Sequence, residues 1–252
     1  MTEKRVALVT GASRGLGRAI AKNFGQKGYA VIVNYLNSEE KAAEVVAEIG
    51  QDRAIAVKAD VRDKAQVETM VKKAVSTFGR IDVAVNNALV NFEFNPVTQE
   101  KAEDLRWENF NEQFEGSVQS ALNVVQAVFP SMKEANYGRI INIGTNLFQN
   151  PVVPYHQYTT AKAALLGFTR NMAKELGAYG ITVNMVSGGL LKTTDASKVT
   201  TPEVFQLIAD SSALQRVTTP EDVAEMIGFL GTEAARAVTG QNIVVDSGLT
   251  MN

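Results

Sequence analysis

Tyrosine and lysine four residues apart, as in Tyr158-Thr159-Thr160-Ala161-Lys162, can do acid/base work if one helix carries both. That spacing puts the two side chains on one helix face. A free tyrosine, with a pKa of about 10, is a poor proton donor near neutrality. An ammonium beside it favours the phenolate and lowers the pKa toward the working range of an acid/base catalyst. Tyr158 could then give a proton to a substrate oxygen, or accept one in the reverse direction. The second chemical signature is TGASRGLG, Thr10 to Gly17. Gly11, Gly15 and Gly17 let the backbone turn sharply and approach a pyrophosphate, which rests on the N–H groups of a helix start. The loop stands between an apolar run, RVALVT, and a helical pattern, RAIAKNFGQKG, as it does in dinucleotide-binding units.

A dinucleotide site specific for NAD usually places an acid at the end of the second strand, on the ribose 2′-hydroxyl. Here that strand ends Val33-Asn34-Tyr35, and Glu39 and Glu40 lie further along. Arg14, inside the glycine loop, offers a planar fork of donors to a 2′-phosphate. NADP(H) is therefore the expected cofactor, with NAD(H) the alternative.

The rest of the chain must position these groups. Its 252 residues, 45% hydrophobic and 21% charged, suit one large α/β domain spanning 1–252. Strand-like runs (RVALVT, AVIVNY, RAIAVKA, IDVAVNN, GRIINIG, GITVNMV, NIVVD) alternate with helical patterns starting near Gly15, Ser38, Asp63, Asn109, His156 and Pro220. Several runs are almost continuously apolar, which suits strands covered by helices on both faces. The expected architecture is a doubly wound Rossmann domain with a seven-stranded parallel sheet. Two stretches break the rhythm, about 89–108 and 187–210; both follow strand ends and are expected to border a substrate pocket. Twenty-five basic residues against 27 acidic ones leave no basic arm for nucleic acid. The absence of cysteine and the single histidine, His156, exclude disulfides, thiolate or multi-histidine metal sites and a cysteine nucleophile. No apolar run reaches a membrane span and the start lacks a secretory layout, so a soluble, cytoplasmic protein is expected.

Together, TGASRGLG, Asp60-Val61, Asn86-Asn87-Ala88, Tyr158 to Lys162, GITVNMVSGG and VTGQNIVVDSG resemble the short-chain dehydrogenase/reductase family, and within it the bacterial 3-oxoacyl-carrier-protein reductase type. The resemblance covers nearly the whole chain. It implies metal-free hydride transfer between NADP(H) and a ketone or secondary alcohol, a 3-oxoacyl thioester among the candidates. It assigns cofactor contacts to Gly11, Ser13, Arg14, Gly15, Leu16, Gly17, Asn34, Tyr35, Asp60, Val61, Asn87, Ala88, Leu89, Tyr158, Lys162, Gly188, Gly189, Leu191 and Thr193. Lys162 would also hold the nicotinamide ribose. The family's carbonyl-orienting serine falls on Thr145, with Asn146 next to it as another donor. Its water-retaining asparagine, part of a proton relay from the lysine, falls on Ser117.

The chain departs from the pattern at Ser117, Thr145, Leu89 and Gly188, the last two in place of glycine and proline. Leu89 adds bulk near the nicotinamide, and Gly188-Gly189 is expected to loosen the backbone entering the second long stretch. Phe92, Phe94, Phe148 and Trp107 either line an apolar pocket or pack in the core. His156 is a substrate-side or a surface residue. Val118, Leu122, Val125 and Phe129, with Ala161, Leu165, Phe168 and Met172, recur at helical spacing and suit packing within one chain; the resemblance implies that these helices pair between subunits of a homotetramer. The alternative to an enzyme is a nucleotide-binding regulatory or scaffold protein of the same fold.

Overall fold

Seven short, mostly apolar runs become the strands of one sheet: β1 (Val6–Val9), β2 (Ala30–Tyr35), β3 (Ala54–Lys58), β4 (Val83–Asn86), β5 (Gly138–Thr145), β6 (Ile181–Gly188) and β7 (Asn242–Val245). The computed structural model describes residues 4–91, 95, 97, 99–192, 194, 197 and 200–251. Every pairing is parallel, in the order β3-β2-β1-β4-β5-β6-β7. Parallel neighbours need crossovers, supplied by α1 (Gly15–Gln26), α2 (Glu39–Ile49), α3 (Lys64–Phe78), α4 (Trp107–Phe114), α5 (Ser120–Glu134), α6 (His156–Leu176), α7 (Pro202–Ser211) and α8 (Pro220–Leu230). One apolar layer gathers Ile20, Phe24, Val45 and Ile227 against one face of the sheet. The other gathers Met70, Val124, Met132 and Leu176 against the opposite face. β1, β2, β4 and β5 are buried along their whole length, which is why their sequences run apolar instead of alternating.

The strand order reverses at β1 and β4, and such switch points open a crevice at the carboxyl ends of the strands. Local chemistry fixes where the helices begin. Asp63 accepts from the N–H groups of Ala65 and Gln66 to start α3, and Thr219 forms a reciprocal capping box with Asp222 to start α8. Between α4 and α5, residues Glu115–Gln119 make one wide π turn. Its loosened backbone is tied by the Ser120 hydroxyl, which donates to the carbonyls of Gly116 (2.7 Å) and Ser117 (3.3 Å).

Two expectations need correction. The second long stretch is no uniform loop, since Pro202 at its first turn starts α7. Nor does Gly188-Gly189 loosen the chain. Gly188 is still in β6, paired with Thr145 on one side and Val245 on the other.

Candidate functional site

The glycine loop is built so that only glycine fits its inner positions. Gly11 has φ +62°, and a Cβ there would lie 2.9 Å from Ala88 Cα. A Cβ at Gly17 would lie 2.2 Å from the Gly11 carbonyl oxygen and 2.6 Å from Asn87 Nδ2. Thr10 and Asn87 weld this loop to the end of β4. The N–H groups of Asn87 (2.9 Å) and Ala88 (3.0 Å) donate to the Thr10 hydroxyl, and Asn87 Nδ2 donates to the Thr10 carbonyl (2.8 Å). α1 opens directly after Arg14 with no acidic residue in its first turn. A turn of unobstructed N–H groups above a close-approach glycine loop is the donor set a pyrophosphate needs, so the residues present fit a dinucleotide.

Several expected cofactor contacts have other work. Asn34 is buried beneath the loop: Oδ1 accepts from Gly11 N (3.1 Å), while Nδ2 donates to the carbonyls of Val57 (3.3 Å) and Ala59 (3.1 Å). Its side chain braces the cradle. Tyr35 hydrogen-bonds Glu39, so that acid lies nearer the end of β2 than its place in the sequence suggests; burial foremost, then Glu39, raises the Tyr35 pKa. Arg14 is exposed and Ser13 buried on the loop, while Leu16 and Leu191 pack against the core. Asp60 is gripped by Arg62 (Nη2 to Oδ2, 2.7 Å), which holds its carboxyl below the usual range. Val61 is buried and its carbonyl accepts from Asn123 Nδ2 (3.0 Å). Leu89 is 40% exposed just past β4. Thr193, Phe92 and Phe94 lie outside the described residues.

Across the crevice, α6 packs on β5 and brings Tyr158 and Lys162 to the end of that strand. Tyr158 hydrogen-bonds the Thr145 hydroxyl, whose oxygen also accepts from Leu147 N (3.3 Å). Lys162 Nζ donates to the Ile143 carbonyl (2.8 Å) and lies 5.8 Å from the Tyr158 ring centroid. The four-residue spacing accounts for Tyr158 and Lys162 sharing a face, whereas Thr145 came from the resemblance. The direction of the tyrosine shift was wrong. Burial pushes the Tyr158 phenol up to about 12, against a smaller lowering by the Thr145 bond. Burial likewise brings Lys162 down to about 8, because the ammonium has left water. Desolvation is the largest cause at both groups, so the phenol keeps its proton at neutral pH.

Ser117 sits on the π turn, where it lines a small cavity with Lys162, Thr10, Asn86 and Ser120. The cavity has about 10 Å³ of room for the centre of a water-sized sphere, close to the minimum for one water. Asn86 escaped the sequence reading, although a buried amide needs partners. The Thr169 hydroxyl donates to the Leu165 carbonyl (2.7 Å) and so accepts from Asn142 Nδ2 (2.8 Å). Asn142 must then offer its oxygen to Asn86 Nδ2 (2.8 Å). Asn86 Oδ1 is thereby an oriented acceptor, buried and without a hydrogen-bond partner among the described residues.

Asn146 is not available to a carbonyl, since its amide donates to Asp246 (3.0 Å) and reaches Thr250 (3.3 Å). Trp107 is 64% exposed and stacks on Phe110, whereas Phe148 packs against an apolar cluster with Leu165 and Met185. His156 is half-buried at the start of α6. Val125, Ala161 and Leu165 are buried within the chain, and Val118, Phe129, Phe168 and Met172 pack against the same core layers. Among the described residues no acidic or histidine cluster suits a metal, and no helix is long and apolar enough to cross a membrane.

A doubly wound parallel sheet with a glycine cradle facing a buried tyrosine–lysine–threonine cluster defines an oxidoreductase of the dinucleotide-binding kind. Residues 11–250 match the family model described as enoyl-(acyl carrier protein) reductase. The chain is 35% identical, over 254 residues and the full length of both proteins, to the 3-oxoacyl-[acyl-carrier-protein] reductase FabG of Staphylococcus aureus. A blue fluorescent protein from a metagenomic library, solved in complex with NADPH, is similar with a TM-score of 0.87 at 33% identity over 98% of each chain. A dehydrogenase/reductase from Sinorhizobium meliloti is similar with a TM-score of 0.85 at 32% identity, over 98% of this chain and 95% of that one. The chain belongs to the short-chain dehydrogenase/reductase family.

Proposed function

We propose that the protein reduces a ketone, with 3-oxoacyl thioesters among the candidates, to a secondary alcohol using NADPH. Tyr158 gives the proton, Lys162 stabilises the resulting phenolate, and Thr145 donates to the carbonyl oxygen. The observation that carries this reading is the buried Thr145–Tyr158–Lys162 cluster at the end of β5, on the crevice side of the sheet. NADPH over NADH is supported by Arg14, exposed at the mouth of the cradle. The NADPH-bound relative and the 3-oxoacyl reductases point the same way.

When bound, the dinucleotide supplies the hydride. Each remaining task falls to a residue of this chain. The Thr145 hydroxyl turns from the phenol to the substrate oxygen, as a hydroxyl rotor can. Tyr158, held neutral by burial, has a proton ready for that oxygen, because an alkoxide is a far stronger base than a phenolate. The Lys162 ammonium then offsets the phenolate charge in a dry site, where such an effect is large. The cavity beside Lys162 offers the way to recover the proton. A water there would donate to Asn86 Oδ1 and accept from Lys162 Nζ, with Ser117 and Ser120 as further partners, so Asn86 supplies an oriented acceptor beside the serine at 117.

Tyr158→Phe tests the reading: NADPH-dependent reduction of acetoacetyl-CoA falls at least 100-fold while NADPH binding stays within twofold. Near-normal turnover by that variant overturns it. The homotetramer implied by the resemblance is part of the same proposal, and sedimentation velocity checks for a species near four times 27.2 kDa.

A further inference from the structure

We propose that Asp246, in the turn after β7, is a positioning residue for the substrate side of the site. Through Asn146 it holds the end of β5 that bears Thr145, and through its own turn it holds the exit of α7.

Asp246 is 5% exposed and its carboxylate takes four donors. Oδ1 accepts from the N–H groups of Gly248 (3.1 Å) and Leu249 (3.2 Å). Oδ2 accepts from Thr250 N (2.9 Å) and Asn146 Nδ2 (3.0 Å). An ionised carboxylate is acceptor-only, so this all-donor shell reads its charge; an amide in its place would turn an NH₂ toward N–H groups. The carboxylate folds the chain through two left-handed residues, Ser247 (φ 62°) and Gly248 (φ 77°). That turn presents its carbonyls outward. The Ser247 carbonyl accepts from Leu214 N (3.0 Å) and that of Gly248 from Ala213 N (3.4 Å), just past the last residue of α7. The Ser247 hydroxyl pairs with that of Thr218 (2.9 Å), and the Thr218 carbonyl accepts from Lys192 N (3.0 Å) just beyond β6. Gly189 closes the arrangement, since a Cβ there would lie 3.0 Å from Asp246 Cβ and 3.2 Å from Asn146 Nδ2.

The end of β5 thus bonds the carboxylate directly, while the exit of α7 and, through Thr218, that of β6 bond the turn that the carboxylate holds. None of its contacts is a residue of the glycine cradle. The consequence is selective: loosening Asp246 should disturb how a carbonyl substrate is held beside Thr145 and leave dinucleotide binding alone. This step rests on the proposed reductase reading, in which Thr145 and Tyr158 handle the carbonyl.

The test is Asp246→Asn, with the exchanged pair Asn146→Asp/Asp246→Asn as rescue. For Asp246→Asn, KM for acetoacetyl-CoA rises at least fivefold, and the NADPH Kd stays within twofold. The exchanged pair, which restores a donor-to-carboxylate contact, recovers at least half of the loss on a logarithmic scale. Amide hydrogen exchange gives an arm independent of activity: residues 213, 214 and 248–250 exchange at least tenfold faster in Asp246→Asn, while α1 is unchanged. If Asp246→Asn does not fold, Asn146→Leu removes one donor and keeps the backbone bonds of the turn, and KM rises in the same direction. An unchanged KM in a folded variant, or an NADPH Kd weakened in proportion to KM, overturns the proposal. Should the wild type reduce no carbonyl, the reductase reading fails, and unchanged exchange at those amides then sinks the positioning role by itself.

Discussion

Lys162→Met should remove the activity without harming the fold. Burial lowers the Lys162 pKa from 10.5 to about 8. At 1.36 kcal/mol per pKa unit, keeping the ammonium buried at pH 7 costs about 3 kcal/mol of stability. Methionine has a similar length and no charge, so this penalty disappears. Against it, the Ile143 carbonyl loses its lysine donor, which costs about 1–3 kcal/mol when no water replaces it. The variant should therefore be as stable as the wild type or more stable by up to about 2 kcal/mol. Between pH 8 and 10.5 the unfolded chain holds a proton that the folded chain has lost. Wild-type stability accordingly rises with pH through that window, and the variant lacks this contribution. The difference between the two shrinks by about 1 kcal/mol from pH 7 to pH 9. Urea unfolding followed by circular dichroism at both pH values measures it, while turnover drops by about 10²-fold or more. A variant clearly less stable at pH 7, or a difference that ignores pH, would refute the claim that desolvation controls this lysine.

In the proposed mechanism the same two groups set the pH profile of catalysis. Reduction needs Tyr158 protonated and Lys162 charged, so kcat is expected to decline as pH rises through about 8; a flat profile from pH 7 to 10 contradicts this. Gly17→Ala puts a methyl 2.2 Å from the Gly11 carbonyl oxygen. Because that neighbour is backbone, NADPH affinity should fall by about 10-fold or more, the equivalent of at least 1.4 kcal/mol, as fluorescence titration can show. Arg14→Ala should weaken NADPH about 10-fold and NADH little, and equal losses for both nucleotides in binding assays would remove Arg14 from the 2′-phosphate role.

How far the sequence could be read depends on whether a residue's partners are local. The inner strands were legible because burial on both faces leaves an apolar run that needs no knowledge of the partner strand, and observed bounds such as Ala30–Tyr35 match the run itself. The glycine loop was legible because conformational demand acts on single residues. α7 was lost in an expected loop because none of its residues is buried, and Val204 and Leu207 face solvent instead of marking a core stripe. The bracing role of Asn34 was hidden for a different reason: the groups that engage its amide, Gly11, Val57 and Ala59, come from two other segments of the chain. The tyrosine–lysine pair shows the limit most clearly. Four residues of spacing reveal that a cation and a phenol are neighbours, which argues for a lowered phenol pKa. What surrounds them is non-local, from the end of β5 to the π turn before α5, and it removes enough water to reverse the sign. That reversal bears on direction. A phenol left acidic would have been ready to accept a proton from an alcohol, whereas one that holds its proton at neutral pH is ready to give it to a newly formed alkoxide. Within the proposed mechanism, the burial that the sequence could not show therefore decides which group holds the proton at rest.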